Sequence, residues 1–519
     1  MRITYDNKRF WHFCTVIIVT MLPVFSAMLM CMTQRVSILD LYMPNAINFD
    51  WNDEVFYYKQ IEGIRDYGLP QGYFGYNESH AVYGTLGAWS PVLYLFFGLY
   101  SKIFGWNYVD PIWCNLILLT IAMGVFALRL HLNLKQTFSL CALYLVFIPI
   151  TRFSLLCMAE VIVFFLLILF CAVWLPVKIK RDQVNDSDRI YSWVELLVLY
   201  IVISLLVLMR PYYILLLVPV IYHIFQQTRL KRTIVFNLVY SVGIMTFFLW
   251  MNANFCAAYF EPTINMSWLY SFKQGIKVGF SQVMDILFDS FKAFIIQSGT
   301  GFTGNSIAGG IFVSYLMIMA VFLCEAYRQR HKTEVWRRWA GCFFILFIML
   351  CTKFLFYIGN GYRHLMGFII IGIIICAVFF PLKTYIGVIF ATMFWCFVIK
   401  GERTCELLPV TTVEMMSEID EGEAMLKERI PIRQNADPWE NTVIWLYTDD
   451  LFIKWQDLYA FPSGMGINLC MKQYVLDNFE NMKAKYIMTN IGGEVDLKCL
   501  QAEKELLAEY GEVHVWRLH

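Results

Sequence analysis

The sequence predicts a mostly α-helical protein: a polytopic transmembrane helix bundle of about eleven spans, a first outer loop with a juxtamembrane helix, and a small α/β C-terminal extracytoplasmic domain. Three observations predict this fold class. Of 519 residues, 59% are hydrophobic and 16% are charged, whereas a soluble domain usually carries about 25% charge. Apolar runs of membrane-spanning length recur along the chain. The composition changes sharply after the last of these runs.

The apolar runs define the predicted spans, because a helix needs roughly twenty apolar residues to cross a bilayer. The predicted spans are 12–32, 111–128, 136–151, 160–177, 192–209, 211–228, 233–252, 305–325, 339–357, 365–382 and 384–400. The first run follows Arg2, Lys8 and Arg9, and no small-residue cleavage site comes after it. We therefore expect an uncleaved first helix that starts in the cytoplasm.

The basic residues set the predicted topology. They gather in alternate turns, as the positive-inside rule requires, provided that the apolar run Ser90–Phe104 does not cross the membrane. We expect this run to form a short helix in the outer interface. The outer segments are then a first loop at 33–110, a second loop at 253–304 and the tail after residue 400. The predicted location is a bacterial cytoplasmic (inner) membrane, crossed many times.

Two domains follow from this topology: a transmembrane domain at 1–400 and an extracytoplasmic α/β domain at 401–519. In the second domain, NTVIWLYT (441–448) and KYIMTN (485–490) have the composition of strands. Leucine spacing predicts a helix over 496–511, and a last strand follows. The net charge of +1 and the lack of a basic stripe give no reason to expect a nucleic-acid partner.

Several ionisable residues lie at predicted outer helix ends, where they indicate function by default. They are four cations and one carboxylate: Arg152, Arg210, Lys353, Arg363 and Glu160. Arginine can grip a phosphate bidentately, and lysine binds it as a point charge. A helix bundle with a central cavity would let all five share it. The alternative is that each cation snorkels separately to the interface.

The first outer loop carries a second group of candidates. Asp53 and Glu54 precede an amphipathic stretch that contains Tyr57 and Tyr58, although Asp53 also suits helix capping. The aromatic segment that follows includes Trp89, and aromatic rings can stack against sugars. His80, in the same segment, is a candidate proton carrier or metal ligand, although a lone loop histidine is more often neither.

The order of these motifs resembles the GT-C superfamily of polyprenyl-phosphate-sugar glycosyltransferases, which includes protein O-mannosyltransferases and the lipid A aminoarabinose transferase. NDEVFYY matches the family's acidic pair and aromatic, with Asp53 in the catalytic position. SPVLYLFFGLYSKIFG (90–105) matches an amphipathic segment that ends in Phe-Gly, although serine replaces the usual histidine.

Two further motifs support the resemblance, which covers roughly residues 12–400. TRFSLLCMAE places Arg152 and Glu160 where the family has an arginine and a second acid, with glutamate for aspartate and a slightly longer spacing. GYRHLMGF places Arg363 and His364 at a late outer turn. The tail matches no particular soluble domain of the family.

The resemblance implies transfer of a sugar from a polyprenyl-phosphate donor to a glycan, lipid or protein acceptor, with inversion and with Asp53 as general base. Arg152, Arg210, Lys353, Arg363 and His364 would bind the donor phosphate. A divalent metal, Mg²⁺ or Mn²⁺, stays open, with Asp53 and Glu160 as candidate ligands.

The competing readings are a transporter or flippase of lipid-linked glycans, a polymerase or ligase of such glycans, and a non-enzymatic assembly partner. Transporters are commonly built from internal repeats, and no repeat is evident in the sequence.

Overall fold

The computed structural model describes residues 5–33, 53–70, 74–79, 91–181, 192–225, 230–255, 264–303, 307–357, 362–393, 413–433, 437–447 and 455–519. The helices that precede the tail are α1 (Tyr5–Thr33), α2 (Asp53–Tyr67), α3 (Pro91–Phe104), α4 (Asp110–Leu130), α5 (Leu134–Val146), α6 (Ile148–Ser154), α7 (Glu160–Arg181), α8 (Trp193–Met209), α9 (Leu217–Phe225), α10 (Leu230–Phe255), α11 (Ser267–Ser271), α12 (Ile276–Thr303), α13 (Ile307–Arg328), α14 (Thr333–Phe356), α15 (Leu365–Phe379) and α16 (Leu382–Met393).

The apolar helices confirm a multi-pass membrane protein. Within the described residues, α1, α4, α10, α13 and α14 are long and apolar enough to cross a bilayer. Helices α5 and α6 form a sixth candidate that bends by 70°. The bend falls just before Pro149, which has no N–H to donate to the helix. Helices α7, α8 and α15 are shorter apolar helices, so the count of eleven spans stays a prediction.

Helix α7 lies at the centre of the bundle. Nearly all of its residues from 160 to 176 are buried, and it packs against α4, α8 and α15. A helix that is hydrophobic on every side belongs in the interior, and α15 is buried in the same way. The first residue of α7 is therefore enclosed by several neighbouring helices.

The run predicted to be a short helix forms α3, a helix of 14 residues. Its Gly98 faces Ile64 of α2, and a Cβ at this glycine would lie 3.2 Å from the Ile64 side chain. This close approach packs α3 directly onto α2. The opposite side of α3 exposes Leu95, Leu99 and Ile103, as an amphipathic helix requires.

The predicted second outer loop is mostly helical instead. Helix α12 spans 28 residues of it and packs on α13 and α14, with Phe294 against Phe312 and Phe354. The hydropathy pattern missed this helix because Lys277, Asp285, Asp289 and Lys292 interrupt its apolar residues. Phenylalanines at helical spacing were the signal that could have found it.

Within the described residues, the tail contains α17 (Val413–Arg429), five strands of a six-stranded mixed sheet and two further helices, α18 (Lys472–Asn478) and α19 (Glu494–Gln501). The strands are β1 (Phe74–Tyr76), β2 (Thr442–Tyr447), β3 (Gly466–Met471), β4 (Tyr486–Asn490), β5 (Glu505–Tyr510) and β6 (Val513–Arg517). Their order is β1-β3-β2-β4-β6-β5. The pairs among β1, β3, β2 and β4 are parallel, whereas β6 pairs antiparallel with both β4 and β5.

The structure corrects one predicted element of the tail. The helix predicted over 496–511 ends at Gln501, and residues 505–510 form β5 instead. Glu503 has a positive φ of 51°, which helical geometry does not allow. Pairing with β6 supplies the strand with backbone hydrogen bonds that a lone helical turn would lack.

One strand of the tail sheet comes from the first outer loop. Strand β1 pairs in parallel with the edge of β3, with Phe74 opposite Ile467. Glu78, which follows β1, is buried. Its carboxylate accepts hydrogen bonds from the backbone N–H groups of Lys483 (2.8 Å) and Ala484 (2.7 Å). The sheet therefore joins two segments that are far apart in the sequence, while the boundary at residues 400/401 stays a prediction.

We predict that Glu78→Ala loosens this junction. The substitution leaves two buried N–H donors without their acceptor, at a cost of about 2–4 kcal/mol. Hydrogen exchange of the β3 amides in the full-length protein measures the effect as faster exchange. Glu480→Ala, at an exposed position of the same domain, is the control. Equal protection in both variants would show that Glu78 does not hold the strand.

Candidate active site

The carboxylate of Glu160 lies within a cluster of charged residues at the predicted outer end of the bundle. Glu160 is the first residue of α7 and is 1% exposed. Arg210, which ends α8, donates through Nη2 to Glu160 Oε1 at 2.5 Å. Arg363 Nε lies 4.0 Å from the same oxygen. Among the described residues, no group donates a hydrogen bond to the second oxygen, Oε2.

His364 and Lys353 extend this cluster on the side of α14 and α15. The His364 ring lies 4.6 Å from Tyr357 and 6.0 Å from Tyr212, measured between ring centroids. Arg210, Lys353 and Arg363 all act on it electrostatically. Lys353 is 2% exposed, and its Nζ lies 4.9 Å from the Phe354 ring centre. Arg210, Lys353, Arg363 and His364, which come from three predicted helix ends, therefore lie together in the fold near Glu160.

This cluster carries an excess of positive charge. Two arginines, Arg210 and Arg363, lie on the single carboxylate of Glu160, and Lys353 lies close to Arg210 and His364. Removing a charge from water costs several kcal/mol unless an opposite charge compensates for it. The site therefore favours an anion that can accept several hydrogen bonds. A phosphate has this chemistry, since its oxygens accept from guanidinium groups in a bidentate manner.

Arg152 comes shortly before Glu160 in the sequence, at the end of the helix that precedes α7. It is 3% exposed, on α6, and the loop of residues 155–159 leads from α6 to α7. Asn115 of α4 donates to the backbone oxygens of Ser154 (3.3 Å) and Leu156 (2.7 Å), which fixes this loop. Asn115 was not among the predicted residues; the signal that could have found it is a single amide side chain inside an apolar span.

A glycine permits the close packing beneath the cluster. A Cβ at Gly367 of α15 would lie 2.0 Å from the Tyr213 hydroxyl and 3.0 Å from Leu167. Tyr213 belongs to the 3₁₀ turn Pro211–Leu216, which directly follows Arg210. The absence of a side chain at Gly367 therefore leaves room for the turn that carries Arg210.

The predicted acidic pair begins helix α2. Asp53 is the first residue of α2, and its side chain lies outside the described side chains. Glu54 is 1% exposed. Burial, and after it the Glu54 carboxylate, raise the pKa values of the Cys157 thiol and the Tyr459 phenol. Glu54 thus acts both on the loop that precedes Glu160 and on the tail.

The two predicted tyrosines are both buried in α2. Tyr58 packs within an aromatic cluster, 5.6 Å from Trp106, 5.6 Å from Tyr108 and 5.1 Å from Tyr459 between ring centroids. Trp106 also donates through Nε1 to the Tyr58 carbonyl at 3.1 Å. These contacts give Tyr58 a packing role, and substrate binding by Tyr57 and Tyr58 stays a prediction.

The predictions for His80, Trp89 and a bound metal ion stay predictions. His80 and Trp89 lie outside the described residues. In the described part of the chain, no three His, Cys, Asp or Glu side chains gather in a way that could hold a metal ion. Near Glu160 the described charged neighbours are arginines, which do not ligate cations. Asp53 and Glu160 stay candidate ligands by prediction alone.

The bundle and the α/β tail define a multi-pass membrane protein with a cluster of charged residues at the ends of several helices. A solved structure shares this fold. The oligosaccharyltransferase of Archaeoglobus fulgidus, in its apo form, superposes with a TM-score of 0.50 and 14% identity, over 93% of this chain and 70% of that chain. ArnT from Cupriavidus metallidurans gives TM-scores of 0.44 bound to undecaprenyl phosphate and 0.43 in the apo state, each at 9% identity over 96% of this chain and 97% of that chain.

No family profile and no curated protein matches the sequence. The likeness to the archaeal oligosaccharyltransferase confirms the fold that the resemblance predicted from the motifs. At this level of identity the likeness establishes the fold. The reaction has to be argued from the residues of the site.

We predict that the Glu160–Arg210 pair is strongly coupled. Glu160→Met leaves the buried Arg210 guanidinium without its carboxylate partner, and Arg210→Met leaves the buried Glu160 carboxylate without its guanidinium partner. Each single change therefore lowers the free energy of unfolding by about 3–5 kcal/mol. The double variant removes both charges and recovers most of that loss. Thermal unfolding of the purified protein in detergent measures the cycle. Additive losses would contradict the coupling.

Proposed function

We propose that this protein is an integral membrane glycosyltransferase. It transfers a sugar from a polyprenyl-phosphate donor to a glycan, lipid or protein acceptor on the outer face of the membrane, with inversion at the anomeric carbon. The observation that carries the proposal is a cluster of cations at the ends of apolar helices, with Arg210 and Arg363 on Glu160 and Lys353 close to Arg210. The GT-C fold supports it.

The cation cluster suits the phosphate of a lipid donor. Arg363 Nε lies 4.0 Å from Glu160 Oε1, so its guanidinium is close enough to Arg210 for both to act on one phosphate. Arg210 already holds Glu160 at 2.5 Å and supplies charge from a fixed position. A headgroup at the end of the helices would meet these cations while its polyprenyl chain stays among the apolar helices.

The reaction would proceed by a single displacement. The acceptor hydroxyl oxygen forms a bond to the anomeric carbon as the bond between that carbon and the phosphate oxygen breaks. Asp53 accepts the hydroxyl proton. The electron pair of the broken bond stays on the polyprenyl phosphate, and Arg210, Lys353 and Arg363 stabilise this developing charge.

A carboxylate of ordinary basicity suffices for this step. The reference pKa of aspartate is about 3.9, so Asp53 is ionised at neutral pH. The acceptor hydroxyl becomes acidic only as its oxygen bonds to the sugar, and the phosphate is a stabilised leaving group. The base therefore needs to lie in hydrogen-bond reach of the hydroxyl rather than to have a raised pKa.

Glu160 would orient the cations. Its Oε1 accepts from Arg210, which keeps that guanidinium from collapsing onto other acceptors. Replacing Glu160 would leave the charges in place and remove their alignment. Arg152 and His364 complete the proposed phosphate site. A bound divalent metal would supply further charge neutralisation there.

We predict that Asp53→Asn abolishes transfer. Asparagine preserves the shape of the side chain but cannot accept the proton. The measurement is sugar transfer in purified membranes with radiolabelled polyprenyl-phosphate sugars, after confirming that the variant is made and inserted. A variant as active as the wild type would refute the base assignment. A wild type that transfers nothing from any carrier would refute the proposed function, and a flippase assay would then test the transporter reading.

We predict that Arg363→Gln weakens binding of undecaprenyl phosphate about tenfold or more, since a charge-assisted hydrogen bond is worth about 1.5–3 kcal/mol. The shift in thermal unfolding temperature with added undecaprenyl phosphate measures binding without any need for turnover. Arg330→Gln, an exposed arginine in the turn between α13 and α14, is the matched control. Equal shifts in both variants would remove Arg363 from the phosphate site.

A further inference from the structure

A buried lysine ties helix α2 to the tail domain. Lys59 is 3% exposed. Its Nζ donates to Glu62 Oε2 at 2.7 Å, to the Tyr459 carbonyl at 3.1 Å and to the Phe461 carbonyl at 2.6 Å. The two carbonyls belong to the tail, about 400 residues away in the sequence. This contact therefore joins two segments that only the tertiary fold brings together.

The ammonium group of Lys59 is held by protein acceptors and does not extend into water. An ammonium group has three donors, and all three are used here by buried or half-buried acceptors. Burial raises the pKa of the neighbouring Glu62 carboxyl, although the Lys59 ammonium opposes this shift. Burying this pair costs free energy that only good hydrogen-bond geometry offsets.

The anchored turn touches the start of α2. Tyr459 packs on Tyr58 and Tyr108, with centroids at 5.1 and 5.7 Å. It also lies within the electrostatic influence of Glu54 and Cys157. The tail residue that Lys59 holds thus lies between the N-terminal part of α2 and the loop that leads to Glu160.

A second tie acts further along the same helix. Tyr67, the last residue of α2, donates through its hydroxyl to the Ser463 carbonyl at 3.2 Å. The tail segment 455–463 therefore contacts α2 near its middle and at its end. Strand β1, which follows α2 in the chain, adds a third attachment through its pairing with β3.

We propose that Lys59 is a positioning residue: by fixing the tail segment 455–463 on α2, it holds Asp53 in place opposite the cation cluster. This inference rests on the proposed function. The tail domain then forms a fixed side of the site. Sugar transfer depends on the tail domain even where that domain does not contact a substrate.

Hydrogen exchange tests the anchor without any turnover. The variants are Lys59→Met, which keeps the length of the side chain and removes its donors, and Lys59→Arg, which keeps charge and donors. Lys427→Met, at an exposed position of α17, is the control. We expect roughly tenfold faster exchange over 53–67 and 455–463 in Lys59→Met alone, because its three hydrogen bonds are lost. Unchanged exchange would overturn the anchor.

Transfer kinetics test the positioning. In Lys59→Met we expect kcat to fall on the order of a hundredfold, because small misplacements of a reacting group have such effects. We expect KM for the donor and the binding of undecaprenyl phosphate to stay within about twofold of the wild type, since the cations are untouched. Lys59→Arg should restore most of kcat.

The results of these experiments distinguish the positioning role of Lys59 from the proposed function. Faster exchange with normal kcat would overturn the positioning role and leave the proposed function intact. A fall in phosphate binding equal to the fall in kcat would point to general unfolding and also overturn it. A wild type that transfers no sugar would refute the proposed function and with it the positioning role, whereas the exchange data would still decide whether Lys59 anchors the tail.

Discussion

The contact between Glu160 and Arg210 is the constraint on which the outer end of the bundle depends. Both residues lie at helix ends, one at the start of α7 and one at the end of α8. A charge in this position needs its partner at a fixed distance, so the pair sets how two helices meet. The 3₁₀ turn after Arg210 packs against α15 only because Gly367 has no side chain. One ion pair thus determines the arrangement of three elements.

Buried charges also hold the first loop and the tail together. Lys59 and Glu78 are buried charges whose partners are mainly backbone groups of the tail. Backbone partners depend on the fold of the tail rather than on its side chains. The first outer loop and the tail therefore stabilise each other, and neither segment satisfies its buried charges alone. The catalytic loop of the proposed enzyme and its soluble domain form one unit in this respect.

The sequence predicted what depends on local composition. Glu160, Arg210, Lys353 and Arg363 were found because charge at the edge of an apolar run is costly and therefore informative. Lys59 and Glu78 were missed because each lies in an ordinary polar stretch, and only pairing across the fold makes them exceptional. Helix α12 was missed because charged residues interrupt the run of apolar residues that forms one of its faces. The end of α19 was misjudged because leucines at 506 and 507 suit a helix and a strand equally, and pairing with β6 decided between them.

The inclusion of β1 in the tail sheet imposes an order on biosynthesis. The strand leaves the ribosome long before β3, with which it pairs, and about 390 residues separate Glu78 from its partner Asn468. Until the tail is made, the first outer loop has neither an acceptor for its edge nor a donor for its buried carboxylate. An unpaired edge is a site for wrong association. The sheet can therefore form only after the tail has been synthesised, and until then β1 stays an unpaired strand.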